Sequence, residues 1–288
     1  MTKAMKQFEV LEWASLFLQQ HNRERNVAEI LLQHFLGVDR SKFYTMMRET
    51  VPEHILQSFQ QAIQEHAETG IPVQHIIGYE MFYGRKFAVN EQVLIPRPET
   101  EELVDYVIQN IQHDTSKETK TIVDIGTGSG VIAITLALQL QNVRVYGTDI
   151  SAEALRVAKQ NGKQLEATIQ FRQGDFLKPL MDEGIKVDWV ISNPPYIAWE
   201  EEMTLQDTVK NFDPSLALFA KENGLYAYQQ IIRDLPHVLN HGGKVAFEIG
   251  ETQGEAVQSL LKQTLSTSTI TIKQDINQKD RMVIAHLP

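Results

Sequence analysis

The chain has 288 residues, room for one large domain or two ordinary ones at about 150 residues each. Apolar residues make up 42% and charged residues 22%, which excludes wholesale disorder, and the absence of cysteine excludes disulfides, thiolate catalysis and Cys-based metal sites. Lys and Arg number 27 against 37 Asp and Glu, a formal charge of −10, opposite in sign to that of a protein built to grip phosphate backbones.

The chain opens Met-Thr-Lys-Ala-Met-Lys-Gln-Phe-Glu, without the apolar core of a secretory signal. No apolar run approaches the roughly 18 residues of a membrane helix, so a soluble cytoplasmic protein is expected. Residues 5–69 read as helices only. Val10, Leu11, Ala14, Phe17 and Leu18 fall at helical spacing, as do Val27, Leu31 and Phe35, then Ile55, Phe59, Ala62 and Ile63. Gly37 and the Val51-Pro52 step punctuate the run, which predicts a bundle of about four short helices. Its apolar stripes read as core.

Residues 72–98 change character. Tyr79–Val89 reads as a hairpin about Gly84, and Leu94-Ile95-Pro96-Arg97-Pro98-Glu99-Thr100 cannot begin as helix. A helix over 99–112 and a polar linker from His113 to Lys120 follow. From 121 onward strands at 121–125, 143–149, 169–172, 187–192 and 244–249 alternate with helices at 130–140, 151–161 and 224–239. Two last strands, 268–273 and 281–286, are too close for a helical crossover and should pair antiparallel. The result is an α/β fold: a doubly wound, seven-stranded, mostly parallel sheet behind a small N-terminal helical bundle. The expected division is a helical domain at 1–71, a hairpin and linker at 72–98, and a catalytic domain at 99–288.

Strand 121–125 runs into Asp124-Ile125-Gly126-Thr127-Gly128-Ser129-Gly130 and then a helix. Glycines here let backbone pass close to a ligand, but the third comes one place earlier than in a dinucleotide fingerprint, which argues against a pyrophosphate cradle. Asp149 ends the second strand, where a carboxylate can accept from both ribose hydroxyls. It could instead cap the next helix, a job that Ser151 already fits. After the third strand, Asp175 and Phe176 offer a carboxylate and an aromatic face for an adenine. Together these strand tips describe an adenosine site at the carboxyl edge of the sheet.

The fourth strand ends in Asn193-Pro194-Pro195-Tyr196. A planar amide or exocyclic amine is a poor nucleophile because its lone pair is delocalised. Two acceptors aimed at its two N–H bonds favour pyramidalisation and localise that pair. The Asn193 side-chain oxygen and the Pro194 carbonyl can supply them, the prolines fix the backbone, and Tyr196 can stack on a planar substrate. Beside an adenosine site the natural electrophile is the methyl of S-adenosylmethionine, transferred by positioning and fixed dipoles without a strong general base.

At these residues the chain resembles the peptide-chain release factor glutamine N5-methyltransferases. The resemblance extends to Pro72-Val73-Gln74-His75-Ile76-Ile77-Gly78, to Leu94–Glu101, and to Glu248-Ile249-Gly250 with Gln253-Gly254. It covers 72–288 well, and residues 1–71 fit in kind. It implies a class I, Rossmann-like methyltransferase that modifies the glutamine of the Gly-Gly-Gln motif in release factors. In such enzymes Asp124, Gly126, Thr127, Gly128, Ser129, Gly130 and Asp149 hold the cofactor, with Asp175 and Phe176 (often Trp) at the adenine. Asn193, Pro194, Pro195 and Tyr196 hold the glutamine, Asn193 also bordering the cofactor. Arg97 is a further substrate-binding candidate; orienting its loop is the other reading. The helical domain is expected to contact the release factor, and the protein to act as a monomer without membrane or direct nucleic-acid contact.

An adenine-N6 methyltransferase acting on DNA or RNA uses the same Asn-Pro-Pro-Tyr chemistry on a flipped base. Against it, residues 1–86 carry 9 basic and 10 acidic side chains, leaving 18 and 27 in 87–288, with no basic stripe. A nicotinamide oxidoreductase has no use for Asn193–Tyr196. Of the nine histidines only His237 and His241 stand four apart, and Val-Leu-Asn between them does not make the His-Glu-x-x-His pattern of a zinc site.

Overall fold

The computed structural model describes residues 5–114 and 118–288; part of the linker expected at 113–120, and the first four residues, lie outside them. The packing divides the chain into two compact units. The first comprises the residues up to Gly78 together with Gln206–Phe212, and the second comprises Tyr79–Leu205 and Asp213–Pro288. The longer elements are numbered below in chain order.

In the first unit, α1 (Gln7–Gln20), α2 (Asn26–Leu36), α3 (Arg40–Thr45) and α4 (Glu53–Thr69) match the four expected helices. A fifth, α5 (Val73–Ile77), occupies the stretch read only as a lead into the hairpin; Pro72 precedes it and Gly78 ends it in left-handed backbone. The apolar stripes converge on Val10, Ala14, Leu18, Leu31, Phe43, Phe59 and Ile63, all buried. The detached segment Gln206–Phe212 holds a single helical turn, Asp207–Lys210. Arg23 Nη1 donates to both carboxylate oxygens of Asp207 at 2.8 Å, and its Nε donates to the Ala67 carbonyl at 3.4 Å.

The second unit begins with the hairpin β1 (Tyr79–Phe82) and β2 (Arg85–Ala88), then α6 (Pro98–Gln112). Next come β3 (Lys120–Ile125), α7 (Val131–Gln139), β4 (Val143–Asp149), α8 (Ala152–Gln164), β5 (Gln170–Gln173) and β6 (Val187–Ser192). The chain closes with α9 (Tyr226–Val238), β7 (Leu239–Glu248), α10 (Gly254–Thr264), β8 (Thr269–Gln274) and β9 (Asp280–His286). The seven long strands form one sheet in the order β8-β9-β7-β6-β3-β4-β5. All neighbours from β7 to β5 are parallel, and β9 pairs antiparallel with both β7 and β8. This is the predicted doubly wound sheet with its terminal hairpin.

Both faces of the middle strands are buried, as a parallel sheet requires. Val123, Val190, Val245 and Phe247 point to one side, packing with Tyr228, Ile231 and Leu235 of α9. Ile122, Trp189, Ile191 and Ala246 point to the other, against Leu103 and Val107 of α6 and Ile134 of α7. Strand β7 starts at Leu239 instead of the expected residue 244. Leu239 already pairs with Val187, and the register then slips so that Trp189 faces Lys244. Between β6 and α9 lies a stretch without predicted elements. It contains a two-residue parallel pair, Ile197–Ala198 with Phe219–Ala220, and short helical turns.

The strand order places the carboxyl ends of β3 and β6 side by side, with β3 leading outward to β4 and β6 inward to β7. Open α/β sheets bind ligands at such a switch point. Ser192 Oγ donates to the Ile125 carbonyl at 2.7 Å and ties the two strand ends together.

The Arg23–Asp207 pair is half-exposed at its acid, so it should add under about 1 kcal/mol to global stability while fixing its own segment. Arg23→Ala is expected to speed hydrogen exchange at Val209–Asn211 with little change in urea midpoint. Unchanged exchange there would show that other contacts hold the segment.

Candidate active site

The glycine loop follows β3 directly. Thr127 N donates to the Thr148 carbonyl at 2.9 Å, and Gly130 N to the Thr127 carbonyl at 2.7 Å, which folds the loop back beside β4. Gly128, in left-handed backbone, points its N–H at Asp149 Oδ2 (2.9 Å). Gly130 serves packing: a Cβ there would lie 2.8 Å from Ile134 Cδ1 and 3.2 Å from Ala158 Cβ. Ser129 and Gly130 are buried, while Gly126 is exposed.

Beneath the loop lies Asp124, fully buried at the end of β3. Its Oδ2 accepts from Thr127 Oγ1 at 2.6 Å and from Ala133 N at 3.3 Å, whereas Oδ1 has no partner among the described residues. Burial pushes this carboxyl up to about 7, against the lowering effect of Thr127 and Ala133 and with a small upward push from Asp149. A buried acceptor left open is costly unless a ligand meets it. Asp149 spends one oxygen on Gly128 N and the other on Ser151 N (2.9 Å each), while Ser151 Oγ caps α8 through Ala154 N at 3.1 Å. The cap is therefore Ser151, as expected, and Asp149 turns its carboxylate to the loop. Past β5, Asp175 is exposed and Phe176 half-buried against the core, its carbonyl accepting from Thr148 Oγ1 at 2.9 Å.

The Asn193–Tyr196 turn leaves β6 on the neighbouring side of the switch point. Asn193 Nδ2 donates to Thr100 Oγ1 at 3.2 Å, and Thr100 Oγ1 in turn donates to Glu248 Oε2 at 2.7 Å. Among the described residues nothing donates to Asn193 Oδ1 or to the Pro194 carbonyl. The two acceptors that the sequence proposed are thus both free, while the donor half of the carboxamide is engaged. Burial raises the Tyr196 phenol to about 12, with a further push from Glu248, so its ring is neutral at any working pH.

Two devices hold this turn. The Gln253 carboxamide donates through Nε2 to the Tyr196 carbonyl at 2.9 Å and accepts from Gly250 N at 3.1 Å. Gly224, in left-handed backbone, packs against the same Tyr196 carbonyl and lies 2.6 Å, measured from an added Cβ, from Gln253 Nε2. Arg97 Nη2 meets Asp213 Oδ2 at 2.7 Å, and Asp213 Oδ1 also accepts from Ile95 N at 3.3 Å. Asp213 is buried, so this pair anchors the loop that delivers Thr100. Arg97 is thereby engaged by a buried acid.

Sequence reading gave no role to Thr100, Asn161, Asp213, Gly224, Gln253 or Glu248. Asn161, fully buried on α8, donates to the Ser129 and Ala88 carbonyls at 2.8 and 3.0 Å and accepts from Ala88 N at 2.8 Å, bracing the glycine loop against β2. Thr100, Glu248 and Gln253 stood inside the motifs of the resemblance, and Glu248 carried a physical signal as well: a carboxylate inside the apolar run Val245–Ile249 has to find partners.

With the geometry in hand, two family profiles match the chain: the PrmC N-terminal domain over residues 9–78 and the methyltransferase small domain over residues 104–213. Release factor glutamine methyltransferase of Bacillus cereus is 48% identical over 98% of this chain and 100% of its own length. The Staphylococcus aureus protein of the same name is 44% identical over 96% and 97%. Among solved structures, a methyltransferase from Pyrococcus furiosus shares the fold, with a TM-score of 0.51 at 15% identity over 79% of this chain and 96% of that one.

Gly224→Ala would force a methyl group against the Tyr196 carbonyl in a backbone conformation that alanine disfavours. The expected cost is about 2 kcal/mol in urea unfolding, with a loss of turnover exceeding that explained by the unfolded fraction. A variant as stable and active as the parent would show that Gly224 does not brace the turn.

Proposed function

The chain belongs to the release factor glutamine methyltransferases, and from that membership and the site geometry we propose how its residues act. The enzyme transfers a methyl group from S-adenosylmethionine to the side-chain amide nitrogen (N5) of the glutamine in the Gly-Gly-Gln motif of peptide-chain release factors. The observation that carries this reading is the pair of unoccupied acceptors, Asn193 Oδ1 and the Pro194 carbonyl, on a turn whose Asn193 Nδ2 and Tyr196 carbonyl are engaged.

The residues around the glycine loop fit the cofactor. S-adenosylmethionine carries an ammonium, a sulfonium and two ribose hydroxyls, and it supplies an electrophilic methyl when bound. The open, buried Asp124 Oδ1 suits the ammonium, and Asp149, which keeps lone pairs after its two backbone bonds, suits the ribose. Asp175 and Phe176 suit the adenine, while Gly126, Thr127, Gly128, Ser129 and Gly130 let the backbone approach. Asn193 and Pro194 take the two N–H bonds of the glutamine amide and localise its lone pair; Pro195 stiffens the turn and Tyr196 flanks the planar group. Fixed dipoles cost no reorganisation during reaction.

The helical unit is the proposed recognition module for the release factor. Its family profile and its near-neutral charge, which leaves most of the acidity to the catalytic unit, support that division.

A release factor incubated with labelled S-adenosylmethionine should be methylated and its Gly-Gly-Ala variant should not, and Asn193→Ala should abolish transfer while cofactor affinity stays nearly constant. Equal labelling of both release factors would remove the glutamine assignment. Duplex DNA run in parallel tests the adenine reading.

Asp124 gives a separate expectation. A cationic ligand selects its ionised form, which is scarce below about 7. Cofactor affinity should therefore rise roughly tenfold from pH 5.5 to pH 7. Calorimetry on Asp124→Asn should give weaker binding and a flat profile over that window; a slope equal to the parent's would place the titrating group elsewhere.

A further inference from the structure

Asn193 has a carboxamide with two different ends, and only the oxygen end can receive an amide N–H. The two ends are nearly isosteric, so packing alone chooses poorly between them. The choice is made here by hydrogen bonds. Nδ2 of Asn193 donates to Thr100 Oγ1, whose own proton goes to Glu248 Oε2. All three groups come from distant stretches of chain: the first turn of α6, the end of β6 and the end of β7. Thr100 and Glu248 are buried, at 3% and 2% exposure, so water does not compete for these bonds. Every donor in the series points from Asn193 towards Glu248.

We propose that Thr100 and Glu248 are positioning residues that hold the Asn193 carboxamide with its oxygen towards the substrate amide, an inference that rests on Asn193 being the glutamine-binding side chain. Neither residue bonds to the reacting atoms itself; each acts through Asn193.

The direction of the series depends on Glu248 being ionised. A carboxylate can only accept, so the Thr100 hydroxyl must donate to it and keep a lone pair for Asn193 Nδ2. A protonated Glu248 can donate instead. Thr100 is then free to turn its proton to Asn193, which favours the flipped amide and presents N–H to N–H at the substrate. Burial raises the Glu248 carboxyl to about 7, with Glu99 of α6 pushing it further up and Thr100, Asn193 and Arg281 of β9 pulling it down. The phenols of Tyr196 and of Tyr228 on α9, both raised by burial, face it as neutral groups. Arg281 is held by Asp275 and the Ile249 carbonyl, at 3.1 and 3.3 Å.

Thr100→Val keeps the shape and removes the hydroxyl, and Thr100→Ser restores it. With saturating cofactor, Thr100→Val should lower kcat ~10- to 100-fold, the range for losing a partner that orients a ligating side chain, with little change in KM for the release factor or Kd for the cofactor. Thr100→Ser should recover most of kcat. Wild-type kcat should fall as pH drops through about 7, and Glu248→Gln should lose that transition. A readout independent of turnover is the Asn193 side-chain amide in 15N spectra, identified by its absence in Asn193→Asp. Its exchange should be slow in the parent and fast in Thr100→Val.

Unchanged kcat with unchanged amide exchange in Thr100→Val would overturn the proposal, as would a Thr100→Ser variant no better than Val. Should the Val variant fail to fold, the Glu248→Gln profile decides, and an acid limb identical to the parent's overturns it. A slow amide in a parent enzyme that leaves release factors unmethylated would instead reject the glutamine reading and keep the positioning role.

Discussion

In the proposed reading a carboxyl group buried at the end of β7, beside the central strand β6, governs the acceptor half of this site. Taking Glu248 out of water raises its carboxyl to about 7, which corresponds to about 3 kcal/mol against the ionised form. A group in that position is tolerated only where partners meet it. Those partners fix more than Glu248. Thr100 has to sit in the first turn of α6, which requires the Pro96-Arg97-Pro98 entry to be anchored, and the buried Asp213 does this through Arg97 and Ile95. Tyr228 Oη donates to the Glu248 carbonyl at 2.7 Å and pins α9 to the same strand end. Helix, loop and strand thus share one polar centre beside Asn193.

The proposed cofactor half repeats the arrangement two strands over, across β6. Asp124 ends β3 as Glu248 ends β7, each buried and each at about 7. They differ in completion. Glu248 is engaged by Thr100, with Arg281 and Asn193 also favouring its charge, whereas one oxygen of Asp124 remains open. A satisfied carboxylate orients neighbours, and an unsatisfied one awaits a cation. In the proposed reading the same residue chemistry serves positioning on one side of the switch point and binding on the other.

How much of this the sequence disclosed follows from how local each signal is. The sheet was legible because its inner parallel strands, buried on both faces, are short continuous apolar runs between helical patterns, and the last two strands stand too close for a helical crossover. The glycine loop and Asn193–Tyr196 stood out because the functions proposed for them require contiguous residues of restricted type. Thr100 did not, since it looks like any polar residue in a helix first turn and its acceptor lies 148 residues away. Asn161 and Gln253 act on backbone atoms 73 and 57 residues distant, for which no spacing rule exists. The Ile197–Ala198 and Phe219–Ala220 pair escaped because two-residue strands have no period to read. Arg97 was visible as a residue, but its buried partner Asp213 lies on a different loop.

The identity of residue 193 is the point at which these constraints meet. In the proposed reading the position needs an acceptor facing the substrate and a donor facing Thr100, whose hydroxyl proton is already committed to Glu248. Aspartate would supply acceptors on both sides, leaving Thr100 without a donor and setting a second negative charge beside a carboxyl that burial already strains towards neutrality. Serine has the right functionality but not the reach of a planar group with ends on opposite sides. Glutamine has both ends but an extra torsion, which loosens the aim that catalysis by fixed dipoles depends on. Asparagine alone combines a short stem, a plane and two unlike ends. Its neighbours convert that near-symmetric amide into a directed acceptor.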